Sequence, residues 1–404
     1  MQRAKRGPRG APRCAEMTVI CVLRFAFCPM VVSLRYSSEG SAIEGAMESA
    51  GVLCADVDAM FATVEAIERG LGPDVPILVG GAPDERGVVS TASYAARRFG
   101  CHSAMPMSQA LRLCPQALRF PPRHELYGRY SQRLMDVLRT FGPTEQMSID
   151  EAFVAVGSDG IDERLGRTVK AALREASGLT VSVGIARNKL VSKVASGFQK
   201  PDGLTVVPAG QEAAFLAPLG VDRLGGVGPK TAARLAALGV QTCGDLANLP
   251  LETLASQFGP VAGQSLYDHA RGSDDSPIIT HHGLKQISQE TTFARDLADR
   301  ARLWATVRAQ AEEVSRRLQG HGVLARTITL KLRYADFQLV SRSASVTSPT
   351  ADPKLIAQVA ATLVRANWDR RRPIRLIGIG ATRFVASESW VQLALPLGDG
   401  SGSG

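Results

Sequence analysis

No paired Cys-x-x-Cys spacing occurs among the seven cysteines, which stand at positions 14, 21, 28, 54, 101, 114 and 243. That excludes a zinc site built on such pairs, and the odd number argues against a disulfide framework. Cys54 lies in an apolar run, which fits a reduced thiol in a cytoplasmic protein. Long unbroken apolar runs are also missing. The best candidate, Thr18 to Leu34, is interrupted by Arg24 and Pro29 and is too short and broken to span a membrane. There is no long internal repeat and no low-complexity block. Hydrophobic residues make up 45% and charged residues 21%, so an ordinary globular chain remains.

The 404 residues suffice for two to four compact units. Charge is unevenly placed within the net +9: residues 47–278 sum to −3, with 22 Lys/Arg and 25 Asp/Glu, whereas 279–397 sum to +9, with 18 and 9. A near-neutral body joined to a basic C-terminal part suggests a polyanionic partner, though a solvated basic surface would look the same. The Arg-rich start followed by an apolar stretch has the order of a signal peptide. The first clear element, however, begins near Gly51, just after Met47. Residues 1–46 are therefore expected to be a disordered extension or a mis-assigned start, and the protein to be a cytoplasmic monomer.

Periodicity predicts a strand over 51–57 ending at acidic residues, a helix over 59–69 and a strand over 76–80. Helices follow at 91–99, 108–113 and 127–141. A strand over 146–156 carries an embedded acidic pair. A helix at 162–177, a strand at 180–185 and a helix at 189–198 complete an α+β pattern. Residues 211–271 read as a small helical unit, and 274–280 as a linker. The last third runs β-α-β-β-α-β, the order of a ferredoxin-like split βαβ module.

Three constellations carry chemistry. Asp56-Val57-Asp58 and Asp150-Glu151 place carboxylates in strands that otherwise read as core. Such groups are expensive to bury unless paired or bound to a cation, and clustered hard oxygens suit Mg²⁺. Two such ions can drive an in-line displacement at phosphorus. Read alone, the acids could equally pair with Arg, and Asp58 could cap a helix. Thr91, Tyr94 and Arg97 stand at i, i+3 and i+6, spacing that would aim a hydroxyl, a phenol and a guanidinium along one helix face toward phosphate. Lys189 adds a point charge. By itself that stripe is also an ordinary solvated helix face. Leu224-Gly-Gly-Val-Gly-Pro-Lys230 reads as a helix, a glycine turn and a second helix, with Gly226 and Gly228 freeing backbone N–H groups, beside Lys230, for a DNA phosphate.

Together these residues resemble the Y-family DNA polymerases, within the DNA polymerase IV branch. The resemblance rests on ordered blocks: 55–65, 90–100, 103–106, Ser-Ile-Asp-Glu-Ala at 148–152, Val-Gly-Ile-Ala-Arg-Asn-Lys at 183–189, 326–337 and 375–380. It implies a right hand: palm and fingers over 47–210 (fingers about 70–120), a helix-hairpin-helix thumb over 211–277, and a DNA-binding little finger over 278–388. A flexible tail over 389–404 follows.

The resemblance further implies template-directed translesion DNA synthesis without proofreading. Asp56, Asp150, Glu151 and the Val57 carbonyl would hold two Mg²⁺, with Asp58 in support. Thr91, Tyr94, Arg97, Lys189 and the backbone near Met60 and Phe61 would hold the dNTP. Phe61 falls at the position whose ring blocks a ribose 2′-hydroxyl. Ser90 and Ala104 match small residues roofing the nascent base pair. Lys331, Arg333, Arg370–Arg372 and Arg375 are candidate contacts to primer–template DNA. The tail Gln392, Leu393, Leu395 and Leu397 resembles a sliding-clamp docking peptide. Ala59 and Met60 stand where the family often has bulkier aromatics, which leaves packing beside the sugar open. Rival readings are a nucleotidyl cyclase, which needs neither the hairpin nor the basic module, and a non-catalytic DNA-damage scaffold, which should have lost a metal carboxylate.

Overall fold

The computed structural model describes residues 51–157 and 161–387. The 1–46 extension and the clamp-like residues Gln392, Leu393, Leu395 and Leu397 lie outside the described residues. The chain divides into two units, one holding 51–83 and 88–284, the other 84–87 and 285–387.

The first unit begins with β1 (Gly51–Val57), α1 (Met60–Glu68), β2 (Ile77–Gly80), β3 (Val89–Ala92), α2 (Tyr94–Arg97), α3 (Met107–Leu113), β4 (Leu118–Phe120) and α4 (His124–Arg139). It continues with β5 (Thr144–Gln146), β6 (Glu151–Val156), α5 (Glu163–Ser177), β7 (Val181–Ala186), α6 (Lys189–Phe198) and β8 (Leu204–Val206). Five short helices close it: α7 (Glu212–Leu216), α8 (Pro229–Ala237), α9 (Cys243–Ala247), α10 (Leu251–Phe258) and α11 (Pro260–Ala270).

Every residue of β1 except Asp56 is buried. A strand apolar on both faces belongs inside a sheet. Accordingly β1 sits in the middle of the order β5-β6-β1-β7-β8. Its Leu53 shares a core with Val154, Val183 and the α4 side chains Leu134 and Leu138. Gly184 lets α6 lie close on β7, because a Cβ there would meet the Ser192 carbonyl oxygen at 2.1 Å. A second, three-stranded sheet has the order β3-β2-β4.

Two expectations change here. Thr91 is in β3, paired with Val79, and the Ser93 hydroxyl caps a helix that spans only Tyr94–Arg97. Thr91, Tyr94 and Arg97 therefore do not share one helix face. Nor is 146–156 one strand. It runs from the end of one hairpin arm, β5, through the turn into the other, β6, with Thr144 opposite Val154 and Gln146 opposite Ala152. Asp150 lies in the turn and Glu151 opens β6.

The second unit runs β9 (Gln286–Leu297), α12 (Arg300–Gly320), β10 (Val323–Tyr334), β11 (Leu339–Thr350), α13 (Pro353–Asn367) and β12 (Ile374–Ala386), the expected β-α-β-β-α-β sequence. The sheet is antiparallel in the order β11-β10-β12-β9. One face packs Ile328, Leu330, Ile377 and Ile379 against Leu303, Val307, Ile356 and Val364 of the helices. The alternating residues Thr327, Thr329, Ser343, Gly378 and Gly380 belong to the other face, which is polar and small. Among the described residues no helix is long and apolar enough to cross a membrane.

Candidate active site

The ladder brings the first two acids together. Asp56, near the end of β1, stands opposite Glu151 of β6 on one side and Ser182 of β7 on the other. Their carboxylates share one cation: the Lys193 Nζ lies 2.6 Å from Asp56 Oδ2 and 2.6 Å from Glu151 Oε2. Lys193 comes from α6, whose close approach depends on Gly184. Lys200, just past the end of α6, bonds the other Asp56 oxygen.

Asp150 is placed by backbone. Its carbonyl accepts the Val57 N–H at 2.9 Å, which ties the turn to β1. Its side chain accepts the Ser148 hydroxyl at 2.5 Å. Burial pushes the Asp150 carboxyl up, and the negative charge of Asp56 adds to this. Burial likewise raises Glu151, in spite of Lys193. Asp56 goes the other way: burial alone would raise it, but Lys193 and Lys200 outweigh that and hold it low. Among the described residues no three Asp, Glu, His or Cys side chains are gathered tightly enough to ligate one ion. The donor set nevertheless fits a divalent cation. It is all hard oxygen, two of its members already embrace an ammonium, and the third is destabilised by burial and by the Asp56 charge.

Asp58 has a different task. It is buried, accepts the Ser182 hydroxyl at 2.8 Å and the Asp202 N–H at 2.7 Å, and stands 3.4 Å from the Tyr94 hydroxyl. It staples β1 to β7, to the turn after α6 and to α2. Burial and the Asp58 charge push Tyr94 up to about 12, so its phenol is a donor at neutral pH. Arg97 packs its guanidinium 4.6 Å from the Tyr94 ring centre.

The chain turns sharply after Asp58: Ala59 has φ 46° and ψ 46°. Its small side chain tolerates a left-handed position that a bulky residue resists. The turn starts α1 beside the carboxylates, with the first N–H groups of Met60 and Phe61 lacking intrahelical partners. Met60 is buried, while the Phe61 ring stacks on Tyr127 at 4.2 Å with 13° between planes. The Tyr127 hydroxyl donates to buried Glu65 at 2.6 Å, and Arg123 grips the same carboxylate at 2.9 and 2.7 Å. Phe61 thus rests on a braced support. Backbone pairing of Val89 with Met105 (2.8 Å) sets Ser90 and Ala104 side by side.

Lys189 opens α6, at the helix start that the sequence reading gives it. It bonds buried Glu145 at 2.9 Å and the Pro277 carbonyl at 3.0 Å. Sequence reasoning missed Lys193 and Lys200, the two lysines that reach the acids. The signal was available for one: Lys193 is one helical turn beyond Lys189, on the same face of α6.

Three family models match the chain: the impB/mucB/samB family over 55–197, the DNA polymerase-iota thumb domain over 222–274, and the impB/mucB/samB C-terminal domain over 284–395. The DNA polymerase IV of Dehalococcoides mccartyi strain CBDB1 is 37% identical over 85% of this chain and 89% of its own. That of Methanoculleus marisnigri is 41% identical over 81% and 92%. The chain belongs to the DNA polymerase IV family. It is a DNA-directed DNA polymerase of the Y-family fold. Among solved structures, a Y-family polymerase chimera built on Dbh matches with TM-score 0.75 and 25% identity, covering 83% of this chain and 99% of its own. An insertion ternary complex of Dbh DNA polymerase matches with TM-score 0.60 and 25% identity over the same shares.

Within this DNA polymerase IV family member, the thumb-matching segment exposes Gly226, Gly228 and Lys230 while burying Leu224 and Val227. Gly226 has φ +88°, which favours glycine, and no atom lies within 4 Å of a Cβ built at either glycine. Gly228 then caps α8, with Pro229 at its first position. The expected first helix of the hairpin is only a 3-10 turn, Val221–Arg223. In the second unit Lys331 is engaged by Glu290 at 2.7 and 2.8 Å, and the Arg333 Nε is buried without a partner. Arg370 and Arg371 are exposed, Arg372 pairs with Asp336, and Arg375 lies over the Phe337 ring.

Proposed function

We propose that this polymerase extends a primer 3′ end across damaged template positions, with low fidelity and no proofreading, at a site formed by Asp56, Asp150 and Glu151. The observation that supports this reading most is the single cation shared at 2.6 Å by Asp56 and Glu151 from adjacent strands. These two acids, Asp150 and the Val57 carbonyl would hold two Mg²⁺. Metal bound there supplies Lewis-acid stabilisation of the attacking and leaving oxygens. The side chains do the rest. Lys200 and the Tyr94 phenol, both beside Asp56 and Asp58, hold triphosphate oxygens together with Arg97, Thr91 and the opening N–H groups of α1. Phe61 covers the sugar. Ser90 and Ala104 leave room over the templating base, which relaxes selectivity. Gly226, Gly228 and Lys230 meet a DNA phosphate, and the polar sheet face of the second unit follows the duplex backbone, so binding weakens steeply with salt.

Primer extension on a defined template with Mg²⁺, dNTPs and rNTPs in parallel tests the reading. Template-dictated dNTP addition is expected; cyclic nucleotide formed without primer would establish the cyclase alternative instead.

The lysines separate by their partners. Lys200→Ala should raise KM for dNTP about tenfold or more, the scale of a lost charge-assisted contact. Lys189→Met should leave that KM near wild type and instead destabilise the fold by about 2 kcal/mol, because it removes a charged partner and leaves buried Glu145 only the Ile279 N–H and the His282 ring. Denaturant melts and steady-state kinetics on both variants check this; a KM effect confined to Lys189→Met would reverse the assignment.

The 389–404 tail docks on a sliding clamp through Gln392, Leu393, Leu395 and Leu397. Removing residues 391–404 should leave distributive synthesis unchanged and cancel clamp stimulation, since tethering acts through effective concentration. Equal stimulation of the truncated chain would refute the docking role.

A further inference from the structure

On the helical side of the second unit, two stripes of side chains at i, i+4, i+8 face each other across a groove. Helix α12 contributes Arg300, Trp304 and Arg308, and α13 contributes Ala357, Ala361 and Arg365. The groove holds two adjoining cavities of about 230 and 270 Å³ that share Trp304 and Arg365. Arg365 lies 5.5 Å from the centre of the Trp304 ring, and Arg370 lines the end of the groove beside Trp368. Among the described residues, none of Arg300, Arg308, Arg365 and Arg370 has a carboxylate within 4.0 Å. The nearby acids are occupied by backbone: Asp299 accepts the Ala301 and Arg302 N–H groups, and Asp369 accepts the Arg371 N–H. This groove opens from the helix layer, whereas the duplex-directed residues alternate onto the opposite face of the same sheet.

We propose that this groove binds single-stranded nucleic acid, with one base stacked against Trp304 and the flanking phosphates on Arg300, Arg308 and Arg365. Charge alone would also suit an acidic peptide. The indole set among unpaired guanidiniums decides between them, because a flat π-face beside a cationic track is how sequence-tolerant single-strand sites are built. The small residues Ala357 and Ala361 keep the facing wall low enough for a ring to enter.

The test uses the full chain, saturated with primer–template duplex so that duplex-binding surfaces are filled, and an eight-nucleotide oligothymidylate carrying 5-iododeoxyuridine. Photocrosslinking followed by peptide mapping should place the adduct on Trp304. In parallel, a Trp304→Leu, Arg365→Gln double variant, whose primer extension on duplex substrate should be unchanged, is expected to bind the oligonucleotide about tenfold more weakly. Adducts confined to residues 286–292 or 327–333 would overturn the proposal. So would displacement of the oligonucleotide by polyglutamate of equal charge, which would mark the groove as an acidic-peptide site.

Discussion

Asp150→Ala is expected to lower primer extension by about a thousandfold or more while leaving primer–template binding within about twofold. The loss corresponds to roughly 4 kcal/mol of transition-state stabilisation, the scale expected when a metal ligand is removed from a phosphoryl-transfer site. The fold should not suffer. Burial and the Asp56 charge raise the Asp150 carboxyl in the folded protein, so ionising it opposes folding. With the folded value above the unfolded one, that penalty is absent in acid, grows as pH rises past the ordinary carboxylate range, and is complete above the raised value. In chelator at neutral pH the variant should therefore melt at or above the wild-type temperature, and the advantage should vanish toward low pH. Single-turnover extension, a DNA titration and a pH series of melts separate these effects. Extension at wild-type rate would remove Asp150 from the site.

Phe61→Ala should raise ribonucleotide incorporation relative to deoxyribonucleotide by about a hundredfold. The barrier is steric: a ring filling the space beside C2′ excludes a hydroxyl that an open site admits, and shape discrimination against one added hydroxyl is of this order. The barrier holds only while the ring stays put. Phe61 is braced face-on by Tyr127, which is itself fixed by Glu65 and Arg123. Tyr127→Ala should hence move sugar selectivity in the same direction by a smaller factor, with dNTP insertion kept. Unchanged sugar selectivity in Phe61→Ala would remove it from that role.

Much of this was legible beforehand because it is written in local pattern. The apolar run of β1 ending at Asp56, the amphipathic 163–177 helix and the β-α-β-β-α-β rhythm of the last third all show in periodicity. What stayed hidden depends on partners distant in sequence. Thr91 reads as helical from its neighbours but pairs with Val79 across a sheet, and that ladder bond is invisible in a local window. Asp150 reads as part of a strand until the hairpin register moves it into a turn. Lys193 and Lys200 look like surface lysines, and only the packing of α6 on β7 through Gly184 carries Lys193 to the acids. Lys189 shows the same limit: its place at a helix start suggested a phosphate ligand, and its bond to buried Glu145, 44 residues away, does not show in a local window. Charge asymmetry pointed to a polyanion partner, but not to how the basic side chains divide between the two faces of one module.

Anomalous diffraction from Mn²⁺, in crystals of the chain with primer–template and a non-hydrolysable dNTP, locates the cations themselves. Two peaks about 4 Å apart are expected, ringed by oxygens of Asp56, Asp150, Glu151 and the Val57 carbonyl, with the Lys193 ammonium displaced from between the acids. Manganese found only elsewhere, with Lys193 still bridging Asp56 and Glu151 beside an ordered nucleotide, would contradict the account.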